Sequence, residues 1–520
     1  MVMLLGASLL FLDFTGTVHA WLGWIAEIQF FPAVLAVNLG VIITLVLLTL
    51  VTGRLYCSVI CPLGIFQDGV SGIRSRVKKK NRYRFGWKKP LNVLRYVILV
   101  LFLAALIAPV GGFIASILDP YSAFGRIMSN IFAPFWQWGN NALAYLAERA
   151  DSYAFYDKTV WLKSLPTFLV ALTTLVVVSV LAWTGGRTYC NSICPVGSLL
   201  GLISKVSLFG IRFDKSKCNG CRLCERGCKS SCINIDAHKV DSSRCVVCLD
   251  CISNCHRGAV SYGLRWGKGA SAKPMASDTK ACSDCAGKAS DTNSCSVQAE
   301  KMKEKSRGEH NDAGRRAFVT GALIAAGSAA MKAQEVKLDG GLAEVTLRKP
   351  FRRQTPLKPA GAVSLKHFSQ HCTACQLCVS VCPNDVLRPS TALDTFMQPE
   401  MSYERGFCRP ECTKCSEVCP NNAIFEITKE EKSSTQIGHA VVNLDNCVVK
   451  TDGVSCGNCA RRCPVGAIKL VKLNPGDEKS LRIPAVNEAR CIGCGACEHL
   501  CPAQPFPAIH VEGHPVHKTI

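Results

Sequence analysis

The sequence contains no Cys-x-x-Cys-His stretch, so it offers no attachment site for c-type haem. Cys251, Cys255 and His256 come nearest to that pattern, but three residues rather than two separate the cysteines. Outside its cysteine-rich loops the chain has no glycine-rich nucleotide or flavin fingerprint. These absences argue against a haem carrier and leave no sign of a terminal substrate pocket.

Acidic residues are also scarce, with 38 Asp and Glu against 60 Lys and Arg and a formal net charge of +22. No carboxylate occurs between Asp68 and Asp119. A basic excess of this size suggests nucleic acid, but many of the basic residues lie beside apolar runs, as membrane topology requires. Thiolate-ligated iron–sulfur clusters would also add negative charge that the formal count omits. We therefore expect no nucleic-acid partner.

Four apolar runs precede residue 190, at 1–12, 35–52, 91–110 and 166–184. They predict an α-helical membrane bundle of four transmembrane helices in two repeats, over residues 1–210. One loop between the runs is strongly basic. It contains Arg74, Arg76, Lys78, Lys79, Lys80, Arg82, Arg84, Lys88 and Lys89. By the positive-inside rule this loop is cytoplasmic, which fixes the predicted orientation of all four helices.

The second and fourth runs end in the same phrase, GRLYCSVICPLG at 53–64 and GRTYCNSICPVG at 186–197. The first and third runs both end in Leu-Asp, at Asp13 and Asp119. Two equally oriented halves are compatible with a two-fold axis along the membrane normal. The longer connection of the second half, 120–165, is rich in aromatic residues and predicts interfacial helices.

The two phrases contribute Cys57, Cys61, Cys190 and Cys194, which the predicted orientation places at the cytoplasmic face. In a helical turn, cysteines at i and i+4 share one face, and the proline that follows ends or bends the helix. A two-fold axis would bring all four thiols together, as a soft-metal site requires. Three roles stay open: a shared metal or cluster, a redox-active thiol or disulfide pair, or purely structural cysteines.

Two combs of spacing C-x2-C-x2-C-x3-C follow and predict a cytoplasmic ferredoxin domain, with two [4Fe-4S] clusters, over residues 211–262. In such pairs the fourth cysteine of each comb ligates the other cluster. One predicted ligand set is Cys218, Cys221, Cys224 and Cys255, and the other is Cys245, Cys248, Cys251 and Cys228. Zinc is disfavoured by the three-cysteine spacing. Lys229 and His256 replace the usual proline, and Cys232 competes with Cys228 as a ligand.

Residues 263–313 have the composition of a flexible linker and contain Cys282, Cys285 and Cys295, an incomplete metal site. Residues 314–345 begin with Arg315-Arg316 before a weakly apolar run, which is similar to a twin-arginine export signal. Such signals serve proteins that fold around their cofactors before export. If the segment is not cleaved it is a further membrane anchor; the alternative is a basic turn before a buried helix.

Four more combs fill the C-terminal part and predict two α+β ferredoxin-like modules, at 346–435 and 436–520, each with two [4Fe-4S] clusters. The combs are Cys372, Cys375, Cys378 and Cys382; Cys408, Cys412, Cys415 and Cys419; Cys447, Cys456, Cys459 and Cys463; and Cys491, Cys494, Cys497 and Cys501. The same exchange pairs Cys419 with the first comb, Cys382 with the second, Cys501 with the third and Cys463 with the fourth. Since few apolar residues remain to form a core, we expect cluster binding to provide much of the stability of these modules.

With its paired CxxxCP phrases and two clusters, residues 1–262 resemble the NapH-type membrane iron–sulfur subunit of periplasmic nitrate reductase systems. With the twin-arginine pair and four combs, residues 314–520 resemble NapG/MauM-type periplasmic ferredoxin-like proteins. The chain looks like a fusion of the two. The resemblance implies a protein of the inner membrane that oxidises quinol and delivers electrons to a periplasmic acceptor. It also implies that the two C-terminal modules lie in the periplasm. Whether it has quinol dehydrogenase activity of its own is left open.

The sequence-based hypothesis is thus a polyferredoxin with six [4Fe-4S] clusters that links the membrane quinol pool to a periplasmic reductase or electron carrier. Asp13, His19 and Asp119, near the outer helix ends, are candidate acceptors of quinol protons, or else helix caps. The alternative is a copper-reducing or metal-enzyme maturation factor that uses the CxxxCP cysteines. A redox sensor is a third hypothesis.

Overall fold

The computed structural model describes residues 2–77, 85–107, 111–265 and 349–520. The first half of this described chain is helical. Its helices are α1 Val2–Leu12, α2 His19–Leu22, α3 Trp24–Glu27, α4 Phe30–Leu35, α5 Leu39–Thr52, α6 Tyr56–Val59, α7 Pro62–Val77, α8 Asn92–Ile107, α9 Gly111–Leu118, α10 Pro120–Ile127, α11 Ala133–Arg149, α12 Leu165–Gly185, α13 Thr188–Ser192 and α14 Pro195–Ser204. A π-helical turn, Met128–Phe132, joins α10 to α11.

A helix forms at each of the four predicted apolar runs, as α1, α5, α8 and α12. Within the described residues, only α12 is long and apolar enough to cross a membrane, with 21 residues and a mean hydropathy of 2.3. At 1.5 Å per residue it spans about 31 Å, close to the hydrocarbon thickness of a bilayer. The others are shorter apolar helices. The predicted bundle of four spanning helices is therefore supported at one helix only.

Much of the surface of these helices is apolar and exposed. Along α5 the exposed large apolar residues recur every four positions, so they form one stripe on the helix surface. The stripe consists of Leu39, Ile43, Leu47 and Val51. Similar apolar side chains are exposed on α8 and α12, including Val100, Leu101 and Val176. Large contiguous apolar surfaces of this kind mark contact with a membrane or with another protein.

The cysteine combs lie in modules of short helices and two-stranded antiparallel sheets. The strands are β1 Phe209–Phe213, β2 Ile233–Asn234, β3 Lys239–Val240, β4 Val260–Leu264, β5 Leu387–Pro389, β6 Pro399–Met401, β7 Thr435–Val442, β8 Ile468–Lys472, β9 Arg482–Val486 and β10 Ile509–Thr519. β1 pairs with β4, β2 with β3, β5 with β6, β7 with β10, and β8 with β9. Each comb contains a single-turn helix around its third cysteine, at Leu223–Arg226, Asp250–Ser253, Leu377–Ser380, Lys414–Glu417, Asn458–Arg461 and Ala496–His499. Further helices are Leu365–His371, Lys429–Ser434 and Val448–Thr451, with 3-10 turns at Leu393–Thr395, Leu444–Asn446 and Glu488–Arg490.

The first comb module packs against the helices at the end where α5 and α12 finish, which we call the phrase end. There Leu208 N–H donates to the Leu50 carbonyl at 2.7 Å, and the Tyr262 hydroxyl donates to the Thr52 carbonyl at 3.0 Å. Arg187 N–H donates to the Lys229 carbonyl at 2.8 Å. The comb pair of residues 218–255 is therefore fixed beside the two cysteine phrases.

The module of residues 372–419 packs at the opposite end of the helices, which we call the far end. Lys158, seven residues before α12, forms an ion pair with Asp385 at 3.2 Å. Lys163 Nζ donates to the Val379 carbonyl at 3.1 Å, and Lys414 Nζ donates to the carbonyl of Thr15, just beyond α1, at 2.6 Å. The two comb groups thus contact opposite ends of α12.

Three sequence-based boundaries or assignments change. α10, at the start of the predicted interfacial segment 120–165, is buried along its whole length, because it lies among other helices rather than at their edge. The predicted ferredoxin domain begins two residues earlier than 211, since β1 starts at Phe209. Residues 263–265, assigned to the linker, belong with β4 or directly follow it. The rest of the linker with its cysteines, and the Arg315-Arg316 segment, lie outside the described residues.

Candidate metal centres

The four regular combs share a local backbone conformation. In each, the residues on both sides of the second cysteine have positive φ. These pairs are Gly220 and Arg222, Val247 and Leu249, Ala374 and Gln376, and Gly493 and Gly495. Left-handed residues reverse the chain and turn successive N–H groups toward one concave point, which suits an anionic group. Five of the eight are not glycine, so the combs maintain backbone strain that something in the site must offset.

Two cavities occupy the module at the far end. Cys372, Cys375, Cys378 and Cys419 line one of about 320 Å³. Cys382, Cys408, Cys412 and Cys415 line the other, of about 380 Å³. The structure thus brings together the two groups of four that the exchanged-ligand pattern predicts. Their role as cluster ligands stays a prediction.

The same arrangement occurs in the module at the phrase end. Cys218, Cys221, Cys224 and Cys255 line one cavity of about 590 Å³. Cys228, Cys245, Cys248 and Cys251 line another, of about 330 Å³, together with Cys232. The Cys232 sulfur lies 3.4 Å from that of Cys228, so the fifth cysteine is placed beside a predicted ligand.

The cysteines of the last two combs are grouped as the exchanged-ligand pattern predicts. Cys459 interacts electrostatically with Cys456 and Cys501, whereas Cys491 interacts with Cys463. Backbone N–H groups donate to two of these fourth cysteines: Ala467 to the Cys463 sulfur at 3.2 Å and Ala508 to the Cys501 sulfur at 3.3 Å.

The spatial order of the C-terminal combs differs from their order in the chain. Cys408 N–H, in the second comb, donates to the carbonyl of Cys494, in the fourth, at 3.0 Å. The Tyr403 hydroxyl reinforces this contact by donating to the Gly493 carbonyl at 2.5 Å. The fourth comb therefore lies between the second and the third, and the third comb is at the end of the series.

The chemistry of these cysteines fits a positively charged metal cluster. Burial raises the pKa of the Cys224 thiol to about 11 and that of the Cys248 thiol to about 12. At neutral pH such thiols stay protonated unless a metal replaces the proton, because thiolate ligation needs a compensating cation. Cavities lined by four cysteines, with inward-facing N–H groups, provide the space, the ligands and the hydrogen-bond donors that a [4Fe-4S] cluster requires.

The four cysteines of the two phrases are all buried, each about 4 % exposed, and lie in one apolar cluster with α1 and α10. All four are free thiols. Cys194 interacts electrostatically with Cys190, Cys61 and Cys57, so the structure brings the two phrases together. This is the juxtaposition that a two-fold relation between the halves predicts.

The three candidate proton acceptors lie in different environments. Asp13 accepts hydrogen bonds through both carboxylate oxygens, from Thr15 and from Val18 N–H, so it closes a turn. His19 is half-buried, and burial lowers its pKa. Asp119 is fully buried at the start of α10, where one oxygen accepts from the N–H and the hydroxyl of Ser122 and the other has no partner.

Sequence reasoning missed the polar residues that surround Asp119. Arg126 is fully buried, and two of its nitrogens, Nε and Nη1, have no hydrogen-bond partner, nor does the Tyr121 hydroxyl. In the π-helical turn, Asn130 donates to the Gln376 side chain of the first C-terminal comb at 2.7 Å. The only sequence signal was the conjunction of Arg, Asn and Tyr in a segment that we assigned to an interface, and π-turns are frequent at functional sites.

Comparison with known proteins defines the class. A model of a 4Fe-4S binding domain matches residues 34–81 and again 165–216, which are the two phrase-containing halves. A 4Fe-4S dicluster domain model matches 407–467 and 454–504, and a 4Fe-4S binding domain model matches 367–388. The chain is an iron–sulfur protein with ferredoxin-type domains.

Relatives then specify the family. The ferredoxin-type protein NapG of Escherichia coli is 33 % identical over 194 residues, which cover 34 % of this chain and 81 % of NapG. The methylamine utilization ferredoxin-type protein MauM of Methylophilus methylotrophus is 30 % identical over 158 residues, 29 % of this chain and 69 % of MauM. The chain belongs to this NapG/MauM family of ferredoxin-type proteins.

A third relative covers more of the chain. An uncharacterized protein of Methanocaldococcus jannaschii is 28 % identical over 251 residues, 48 % of this chain and 79 % of that protein. No solved structure matches the chain. The NapH-type resemblance of the N-terminal part stays a prediction.

Proposed function

We propose that this chain is a membrane-bound electron-transfer protein that takes electrons from membrane quinol and delivers them through [4Fe-4S] clusters to a periplasmic acceptor. The observation that carries the proposal is the position of the two comb groups. They contact opposite ends of α12, the one described helix with the length and hydropathy of a membrane span. An iron–sulfur protein with its ligand sets at both ends of such a helix is suited to connect two aqueous compartments.

The exposed surface supports a membrane around these helices. Large apolar side chains are exposed on α5, α8 and α12, as is expected of helices that face lipid. Lys88, in the described end of the predicted cytoplasmic loop, contacts the first module at the proposed cytoplasmic end: Arg244 donates to the Lys88 carbonyl at 2.9 Å. We therefore assign the phrase end to the cytoplasm and the far end to the periplasm of an inner membrane.

A [4Fe-4S] cluster, when bound, accepts and returns one electron. The chain's own residues would hold the clusters through the six sets of four cysteines. Inward-facing backbone N–H groups stabilise the added negative charge after reduction. The helices keep water away from the first C-terminal comb, whose Cys372, Cys375 and Cys378 are buried.

Asp119, Tyr121 and Arg126 are the residues that we assign to quinol. Their unpartnered polar atoms lie next to the first C-terminal comb, since Cys375 interacts electrostatically with both Asp119 and Arg126. Buried polar atoms without a partner are costly, so a ligand that supplies hydrogen bonds is expected there. A quinol hydroxyl would donate to the free oxygen of Asp119, which then accepts the proton. Asp13 is less suited, because both its oxygens already accept hydrogen bonds.

The experiment is a redox titration followed by electron paramagnetic resonance, on protein purified without oxygen, with and without a soluble quinol analogue. We expect the analogue to reduce the clusters of the wild type. Asp119→Asn should slow this by about 100-fold, the usual cost of losing a positioned base, while dithionite still reduces the clusters. Asp13→Asn is the matched control and should react nearly as the wild type does. Absence of any response to quinol would refute the proposal.

A further inference from the structure

Each cysteine phrase is hydrogen-bonded to the other through its arginine. Arg54 of the first phrase donates to the Cys190 carbonyl of the second at 3.2 Å, and Arg187 of the second donates to the Cys57 carbonyl of the first. The glycine after each Cys-Pro makes this possible. A Cβ on Gly64 would collide with Arg187, and one on Gly197 with Arg54. The Gly-Arg and Cys-Pro-x-Gly parts are thus complementary: the arginine of each phrase packs against the glycine of the other phrase.

Each of the four sulfurs accepts a hydrogen bond from an N–H group. Gln67 Nε2 lies 3.2 Å from the Cys190 sulfur, Gly197 N 3.3 Å from that of Cys194, and Arg54 Nη2 3.7 Å from that of Cys57. Gly64 N–H donates to Cys61 in the same way as Gly197 does to Cys194. Thiolates that bind metal are commonly surrounded by such donors, and hydrogen bonds to sulfur tune iron–sulfur clusters. Cysteines with a packing role alone do not need them.

The charges around the sulfurs favour a negatively charged group. Arg54 and Arg187 are both fully buried. Arg187 forms an ion pair with Asp68 at 2.7 Å. The hydrogen bonds of Arg54 go to Asn191, to the Ser243 and Cys190 carbonyls and to the Cys57 sulfur, none of them a carboxylate. A buried cation needs a buried counter-charge, and a cluster held by four thiolates supplies one.

The four phrase cysteines are available as ligands. None of them is in a disulfide. Four thiolates are the ligand set of a [4Fe-4S] cluster, the group that the cysteine-lined comb cavities of this chain are also suited to hold.

From these contacts we infer that Cys57, Cys61, Cys190 and Cys194 together bind one additional [4Fe-4S] cluster, shared by the two halves and located between the two comb groups. On one side Arg54 Nη1 donates at 2.8 Å to the carbonyl of Ser243, two residues before Cys245. On the other side Tyr189, next to Cys190 in the chain, interacts electrostatically with Arg126, which interacts with Cys375. Placed between the comb pairs, this cluster would accept one electron from a reduced neighbouring [4Fe-4S] cluster and pass it to an oxidised one on the other side, with no proton transferred.

This inference goes beyond the proposed function, because a relay through the phrases does not depend on quinol. The test compares full-length wild type, purified without oxygen, with the double variant Cys57→Ser and Cys190→Ser and with Cys282→Ser as control. We expect the double variant to lose about four iron and about four acid-labile sulfide per chain, and the control to lose none. Unchanged iron, or copper bound at these cysteines in the wild type, would overturn the inference.

A second variant keeps the test decisive if the double variant fails to fold. Gln67→Met removes the side-chain amide that donates to the Cys190 sulfur and to the Leu63 carbonyl, and it retains the four cysteines. In a dithionite titration we expect one cluster signal to move to lower potential while the others keep theirs, since hydrogen bonds to sulfur stabilise the reduced cluster. Gln29→Met is the control, because Gln29 is equally buried but bonds to Ile25 and Tyr56. If no signal moves, the inference is wrong, and since dithionite needs no quinol, this result is independent of the proposed function.

Discussion

The comb pairs at the two ends of α12 are built alike but are covered differently. At the phrase end Cys221 is exposed and Cys218 is partly exposed, so the outer set of that pair faces water. At the far end the first three cysteines are buried, and Asn130 and Gly125 of the helical part lie directly against the comb. Combs of the same spacing thus face water at the phrase end and are buried against the helices at the far end.

The largest expected effect comes from removing one ligand on each side. Cys375→Ser and Cys221→Ser should each reduce the bound iron by about four atoms per chain. Only Cys375→Ser should also lower the unfolding temperature strongly, because that comb is packed beneath the helices. Iron analysis and calorimetry would measure both effects. Equal losses of thermal stability in the two variants would show that the difference in covering has no energetic consequence.

A smaller effect is expected from filling the junction itself. A Cβ on Gly125 would lie 2.5 Å from the Cys375 carbonyl oxygen and 2.7 Å from the Phe11 ring. Gly125→Ala should therefore cost about 1–3 kcal/mol in the free energy of unfolding, as overpacking of a dense core usually does. Gly139→Ala, on the neighbouring α11 with no atom within 4 Å, is the control. It should be neutral or slightly stabilising, and comparable destabilisation in both would contradict the close junction.

The phrase-end pair has a spare cysteine, for which no counterpart is found among the described cysteines of the far-end pair. Because the Cys232 sulfur lies 3.4 Å from that of Cys228, Cys228→Ser should retain most of its cluster through Cys232. Cys382→Ser, the equivalent change at the far end, should lose its cluster. Iron content and the resonance signal of each variant would test this. Complete loss in Cys228→Ser, with Cys232 intact, would exclude ligand replacement.

The smallest effect concerns the acid stability of the last module, at the C-terminal strand β10. Burial lowers the pKa of His517 to about 4 from an ordinary value near 6.5. The unfolded chain therefore binds the proton more readily, and the contribution of a neutral His517 is complete above about pH 6.5 and declines as the pH falls toward about 4. His517→Gln should flatten this dependence in urea unfolding curves, whereas an unchanged slope between these pH values would rule out the role of His517.

Comb spacing predicted which four cysteines line each of the four comb cavities, because a cubane requires three close cysteines and one distant cysteine at fixed offsets. That these cysteines are cluster ligands stays a prediction. Hydropathy located α1, α5, α8 and α12. The buried position of α10 was not predictable, since its composition is mixed and its neighbour Cys375 lies far away in the chain. The left-handed conformation of the non-glycine residues Val247 and Gln376 was equally unpredictable, because tertiary contacts rather than local preference stabilise it.

The arginine exchange between the phrases has a consequence for biogenesis. Until Arg187 has been synthesised and brought beside Cys57, the first half lacks the guanidinium that binds its cysteine turn, and Arg54 has no Cys190 carbonyl to receive it. Neither half is therefore complete alone, so the ribosome must finish both before the sulfur site can close. The four cysteines can therefore come together only after the whole N-terminal region has been translated.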